Sequence, residues 1–165
     1  MIFVTVGTAT QGFQRLVGAA DGLARLVDEP VVIQRGHNRY EPQAADSFDW
    51  GSVEEMNDWI CRARLVIAQA GAGTVISVFR HNKPLILCPR LKAFGENYND
   101  HQIELAEALH RKKRVVMVMH PTAESLLEAV SRTAELDRSP MDNALLVQAL
   151  RQQFTTWEQA GGRKS

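Results

Sequence analysis

Apolar residues along this chain follow two alternating rhythms. Short, almost unbroken apolar runs at 2–6, 31–34, 64–68, 85–88 and 115–118 predict strands buried on both faces. Between them, apolar residues recur every three or four positions, the spacing of helices with one buried stripe. Phe13, Leu16, Val17, Ala20, Leu23, Ala24 and Val27 make the first stripe, which Pro30 ends. Ser52 followed three residues later by Glu55 predicts a capping box opening a helix over 53–62. Further helices are expected over 72–81, 99–110 and from Pro121 to about residue 136. Ser139-Pro140 predicts the start of a last helix reaching about residue 159, with Gly161-Gly162 ending it and a loose tail beyond. Phe48-Asp49-Trp50 reads as a short additional strand, and residues 35–46 and 90–98 read as loops.

Strand and helix alternate for most of the length. That pattern predicts an α/β fold, a parallel sheet with helices on both faces. The 165 residues suffice for one domain with a well-buried core. We divide the chain into a domain over 1–138 and a C-terminal helix and tail over 139–165. That last helix is unusually apolar, with Ala144, Leu145, Val147, Ala149, Leu150, Phe154 and Trp157, and either packs on the domain or docks a partner. Charge is balanced, 19 Lys and Arg against 19 Asp and Glu, which gives no argument for a nucleic-acid surface. Arg111-Lys112-Lys113-Arg114 is the one basic run, and it reads as a solvated helix end. Cys61 and Cys88 are isolated, and the five histidines lack metal-ligand spacing, so a reduced compartment and no metal site are expected. The opening residues do not have the pattern of a signal peptide, and no apolar run reaches the ~20 residues that span a bilayer. A cytoplasmic protein is the expectation.

In a parallel sheet of this kind, ligands bind outside the C-terminal ends of the strands. The residues there are Gly7-Thr8, Gln34-Arg35-Gly36, Gln69-Ala70-Gly71-Ala72-Gly73-Thr74, and Pro89-Arg90 with the loop to Asn99-Asp100-His101-Gln102. A strand that ends in a glycine turn and feeds a helix aims backbone N–H groups and the positive helix end at one point, a cradle for phosphate. Glycine amides, an arginine and a cluster of carboxylate, imidazole and amide groups suit a phosphorylated ligand rich in hydroxyls, such as a nucleotide sugar. Two plainer readings stand beside these. Asp100 serves a helix start equally well, and Arg90 is placed to pair with Glu96.

Several of these stretches, in this order, resemble the C-terminal donor-binding domain of family 28 glycosyltransferases of the MurG type. The carriers are residues 2–8, Gln34-Arg35-Gly36, residues 70–74, Lys83-Pro84-Leu85-Ile86, Pro89-Arg90, Gly95-Glu96 and Asn99-Asp100-His101-Gln102. The chain looks closest to stand-alone versions of that domain. These are the catalytic subunit of the dolichol-pathway N-acetylglucosaminyltransferase and the PssE-like subunits of exopolysaccharide synthesis. The resemblance implies a Rossmann-like domain, one half of a GT-B glycosyltransferase. It implies a UDP-sugar donor, inverting transfer to a lipid-linked acceptor, no cofactor, and a membrane-anchored partner subunit carrying the acceptor site and the base. That partner would hold the chain at the inner membrane.

The resemblance also assigns residues. Gly7, Thr8, Gly71, Ala72, Gly73, Thr74 and Arg90 would meet the donor diphosphate. Asn99, Asp100, His101 and Gln102 would hold the donor sugar, and Gln34, Gly36, Val53 and Ser77 the nucleoside. Two positions depart from the family pattern: Gln69 stands where His is usual, and Ser77 where Glu commonly holds the ribose. Losing that charge-assisted hydrogen bond costs about 1.5–3 kcal/mol of donor affinity. The departures keep a non-catalytic accessory subunit open as an alternative. A dehydrogenase-type nucleotide domain is a further one, although Gly7 to Gly12 does not follow G-x-G-x-x-G.

Overall fold

The structure is a computed structural model and describes residues 1–139; the expected last helix from Pro140 onward lies outside them. The described chain runs β1 (Ile2–Thr5), α1 (Gln14–Leu23), β2 (Val31–Gln34), β3 (Asp46–Phe48), α2 (Val53–Arg62), β4 (Leu65–Ala68), α3 (Ala72–Arg80), β5 (Leu85–Leu87), α4 (His101–Arg111), β6 (Val116–Met117) and α5 (Ala123–Arg132). The strands form one parallel sheet in the order β3-β2-β1-β4-β5-β6. β1 lies between β2 and β4, with Phe3 level with Val32 and Val66.

The continuous apolar runs have a direct structural cause. Successive side chains of a strand point to opposite faces, and both faces of this sheet are covered. Ile2, Val4 and Val6 pack with Leu16, Val17, Ala20 and Leu23 of α1 and with Leu126 and Ala129 of α5. Phe3, between them, packs on the other side with Ile60 of α2, Val75 and Val78 of α3, and Leu105 and Leu109 of α4. Each fully buried Val, Leu, Ile or Phe side chain among them contributes about 1.5–3 kcal/mol. Phe3, Phe48 and Trp59 pack against one another with near-parallel rings, centroids 6.4 Å (Phe3–Phe48), 6.0 Å (Phe3–Trp59) and 5.7 Å (Phe48–Trp59) apart, and tie α2 to the β3 edge.

Element boundaries differ from the sequence reading at several places, among them these. The first helix stops at Leu23, because the amides of Arg25 and Leu26 turn to the carbonyls of Gly22 and Leu23, tightening the chain into a turn. β3 lies at 46–48 rather than 48–50, where Asp46 comes level with Val32. The helix expected from Pro121 begins at Ala123, capped by Thr122, and passes into a 3-10 turn at Thr133–Glu135. The long loop before β3 is anchored by Asp21 of α1. Its carboxylate accepts from the amides of Gln43, Ala44 and Ala45 and from the Tyr40 hydroxyl. Burial opposes its ionisation, but these donors outweigh it and hold its pKa below the ordinary value.

Crossovers leave β1 toward β2 and leave β4 toward β5, in opposite directions along the sheet. Between β1 and β4 the connections therefore diverge and leave a crevice at the C-terminal ends of the strands, the topological switch point.

Candidate functional site

That crevice is a cavity of about 460 Å3. The strand ends contribute Thr5, Gly7, Thr8, Gln34 and Gln69. The turn into α3 and its first half contribute Gly71, Gly73, Thr74 and Ser77. Across from these stand Trp50, Gly51 and Val53, followed by Met56, Asn57 and Ile60 of α2. None of these lining side chains carries a charge at neutral pH. An anion here is met only by neutral donors: amides, hydroxyls, a carboxamide and a helix end.

Two backbone turns supply the amides. Gly7 has φ +73°, a left-handed conformation that a side chain would strain. Gln34 fixes this turn. Its Oε1 accepts from the Thr5 hydroxyl at 2.7 Å and the Gly7 amide at 3.2 Å, and its Nε2 donates to the carbonyls of Gly7 and Asp49. The second turn is the N-terminus of α3. Gly71 caps it without any side-chain hydrogen bond, and the first helical amide bond is from Val75 to the Gly71 carbonyl. The amides of residues 72–74 thus lack intrahelical partners and sit at the positive end of the helix dipole.

Between the two turns lies Gln69, 8% exposed. Its Oε1 accepts from Arg90 Nε at 2.7 Å and from Gln102 Nε2 at 3.2 Å. A methyl group built on Gly7 would stand 1.9 Å from Gln69 Nε2, and one on Gly71 would stand 3.1 Å from it. The two glycines therefore leave room for that carboxamide.

Arg90 is not at the cavity, contrary to the expectation from the resemblance. It is fully buried, and its guanidinium donors serve the protein itself. Besides Gln69, they reach the carbonyls of Val6 at 2.8 Å, Gln11 at 2.7 Å, Gly12 at 3.3 Å and Glu96 at 3.1 Å. Arg90 is thus a clamp joining the ends of β1, β4 and β5 to the loops beside them. Burial lowers its pKa to about 10, which still leaves it a cation at neutral pH. The plainer pairing with the Glu96 carboxylate does not form either. That carboxylate accepts two bonds from Arg15, at 2.7 and 2.6 Å, and one from the Leu91 amide at 3.0 Å.

The remaining expected residues divide. Gly7, Thr8, Gln34, Val53, Gly71, Gly73, Thr74 and Ser77 come together around the cavity. Ala72 is the first residue of α3 but is not among the lining residues. Gly36, with φ +56°, packs behind Gly7. Asn99, Asp100, His101 and Gln102 stand at the start of α4, outside the lining. There Asp100 accepts from the Lys92 amide, Asn99 from the His101 amide, and Gln102 from the Arg90 amide. Sequence reasoning missed Thr5, Trp50, Gly51, Met56, Asn57 and Ile60. Trp50 was within reach, because it follows β3 just as Gly7 follows β1. It is half-exposed, with its ring 4.6 Å from that of His37.

Among the described residues, no group of three His, Cys, Asp or Glu side chains is placed to hold a metal ion. No described helix is long and apolar enough to cross a membrane.

A six-stranded parallel sheet in this order, with its crevice at the switch point, defines a Rossmann-like α/β domain of the kind that forms the C-terminal half of GT-B glycosyltransferases. The chain belongs to the glycosyltransferase family 28 C-terminal domain family, whose model matches residues 1–152. It is 31% identical over 120 residues to the human UDP-N-acetylglucosamine transferase subunit ALG13, covering 67% of this chain and 10% of that one. The chain thus spans about a tenth of the length of the curated relatives it matches. Among solved structures, MurG of Acinetobacter baumannii is similar at a TM-score of 0.56 and 19% identity, over 88% of this chain and 44% of that chain. An NMR structure of ALG13 is similar at a TM-score of 0.58 and 22% identity, over 85% of this chain and 89% of that one.

Proposed function

We propose that this chain is the donor-binding subunit of a two-chain glycosyltransferase that takes its sugar from a UDP-sugar. The observation that carries the reading is the cavity at the switch point, where two glycine turns converge, one of them a helix N-terminus, and no lining side chain is charged at neutral pH. Such a site suits a diphosphate. The amides of Thr8 and residues 71–74 oppose its charge, with Gly7 shaping the first turn, and no lysine, arginine or metal is needed. Trp50, Gly51, Val53, Met56 and Ile60 offer the uracil ring an apolar slot, and Ser77 and Asn57 lie within the same cavity for the ribose hydroxyls. The sugar then extends toward Asn99, Asp100, His101 and Gln102.

Transfer of a sugar to a hydroxyl has two electrostatic requirements. The leaving diphosphate needs its growing charge stabilised, and the attacking hydroxyl needs a base. The cavity meets the first with fixed dipoles that need no rearrangement. It does not meet the second, since Thr5, Thr8, Gln34, Gln69, Thr74 and Ser77 are all neutral. A second polypeptide supplies the base, the acceptor site and the attachment to a membrane where a lipid-linked acceptor resides. The transfer is a single displacement with inversion, and N-acetylglucosamine is the sugar favoured by the likeness to ALG13. The acceptor belongs to polysaccharide or exopolysaccharide synthesis in this reading.

Calorimetric titration with UDP, UDP-N-acetylglucosamine and NAD tests the reading. Binding of UDP and its sugar, with none of NAD, is the expected result. NAD binding without UDP binding overturns it in favour of a dehydrogenase-type domain. Absence of any nucleotide binding, even with the partner present, overturns it in favour of an accessory subunit.

A further inference from the structure

The basic run Arg111 to Arg114 lies away from the cavity at the switch point. The sheet is parallel, so α4 runs from the cavity end of the domain to the opposite end, where β6 begins. There a second cavity, of about 290 Å3, opens over the start of β6. Arg111 and Lys113 line it from the end of α4, Arg132 from the end of α5, and Glu135 from the 3-10 turn beyond. Three cations and one acid thus share a concave site. Lys113 and Arg132 have no side-chain hydrogen bond or ion pair among the described residues, and Arg111 has only a 4.0 Å pair with Glu107. Arg114 is engaged elsewhere, with the Ser139 carbonyl at 2.8 Å and Asp137 at 3.4 Å.

Cations at a helix C-terminus answer the helix dipole, and Arg111 and Arg132, in the last turns of α4 and α5, do so. Lys113 goes beyond that. It sits one residue past the C-cap of α4 with φ +54°, the left-handed position at which helices usually carry glycine. A side chain there strains the backbone, yet the chain keeps a lysine whose ammonium is left unpaired. The carbonyls of that helix end are already taken up: Leu109 accepts from the Arg114 amide at 3.0 Å, His110 from the Lys113 amide at 2.9 Å, and Lys113 from the Asp137 amide at 2.9 Å. His110 donates its Nδ1–H to the Val115 carbonyl at 3.0 Å, which fixes the ring in the cavity wall. We propose that this cavity is a second ligand site, which takes a dianionic phosphate group between Lys113 and the guanidinium forks of Arg111 and Arg132. Guanidinium forks match pairs of phosphate oxygens, and the ammonium adds a point charge. Glu135 is the one lining group that opposes the anion. The ligand is a phosphate monoester, either free or as a lipid headgroup. The site stands apart from the nucleotide reading and does not depend on it.

The test is backbone amide NMR of the full chain titrated with inorganic phosphate at constant ionic strength, with and without UDP. The amides of Lys112, Lys113, Arg132 and Glu135 are expected to shift and saturate together, equally in both conditions. Shifts confined to the turns of Gly7 and Gly71, or shifts that never saturate, overturn the inference and leave the nucleotide reading standing. Lys113→Gly removes a cation and relieves the left-handed strain, so phosphate affinity falls about tenfold while thermal stability stays level or rises. Arg132→Gln weakens binding to a similar extent. Glu135→Gln removes the opposing charge and tightens it. Lys113 and Arg132 are both exposed, so the double variant Lys113→Gly, Arg132→Gln is expected to fold; phosphate affinity unchanged in that variant overturns the inference. Sedimentation with phosphatidylcholine vesicles, with and without phosphatidic acid, identifies the source of the phosphate. Binding that requires phosphatidic acid and is lost in the double variant supports a lipid headgroup. Saturable phosphate binding without vesicle binding supports a soluble monoester. Vesicle binding that the double variant retains overturns the headgroup form of the proposal.

Discussion

An alanine at Gly7 would collide with Gln69, since its methyl would stand 1.9 Å from Nε2 and 2.9 Å from Cδ. The carboxamide has nowhere to withdraw, because Arg90 holds its oxygen. The left-handed backbone at φ +73° adds about 1–3 kcal/mol of strain. Gly7→Ala is therefore expected to lower stability by about that amount and to weaken nucleotide binding more than tenfold, read by denaturant unfolding and calorimetry. Gly73→Ala is the control: its added methyl meets nothing within 4 Å, and it keeps full stability. Away from the site, Glu29 accepts from Arg64 Nε at 2.8 Å. Chiefly that hydrogen bond holds its pKa at about 2, against 4.5 for a free side chain. A depressed carboxylate stabilises the fold above its unfolded pKa, and the contribution is lost as pH falls through the folded one. Glu29→Gln is thus expected to be less stable than wild type at neutral pH. The gap should close between about pH 4.5 and about pH 2; a gap that persists at pH 2 would contradict the assignment.

The second wall of the cavity depends on how α2 begins. Ser52 accepts from the Glu55 amide at 3.1 Å, and the Glu55 carboxylate accepts from the Ser52 amide at 2.7 Å. Val53, Met56 and Asn57 follow directly and line the cavity. Ser52→Ala should cost about 1 kcal/mol of stability. It should also weaken nucleotide binding measurably, whereas Thr122→Ala, at the matching cap of α5 on the opposite face, should cost stability alone. Equal effects of the two on binding would sever α2 from the site. At this scale the sequence was informative. Ser52 and Glu55 disclose their helix by spacing, and residues 2–4 and 65–68 disclose their burial by being apolar throughout. The turns of Gly7 and Gly71 follow from where those strands end. The role of Arg90 was not legible, because an arginine after a strand looks the same whether it faces a ligand or its own carbonyls. Only the three-dimensional convergence of Val6, Gln11, Gly12 and Glu96 distinguishes the two. Trp50 was missed because β3 is an exposed edge of three residues with little apolar signal.

On the scale of the molecule, the chain covers 44% of the similar MurG chain and 89% of the similar ALG13 chain. Under the proposed function the cavity's dipoles stabilise a leaving diphosphate, and none of its lining side chains is a base. The purified chain is therefore expected to bind UDP and to show no sugar transfer until its partner is added, as read by release of UDP from a UDP-sugar in the presence of acceptor lipid. Robust turnover by the chain alone would reject the two-chain account. The central claim is narrower: neutral amides at the switch point grip a diphosphate. Backbone amide NMR of this 18.4 kDa chain during a UDP titration addresses it directly. The amides of Gly7, Thr8, Gly71, Gly73 and Thr74 should shift the most and saturate together. Saturation with UDP while those five signals stay in place, and others move, would contradict the account.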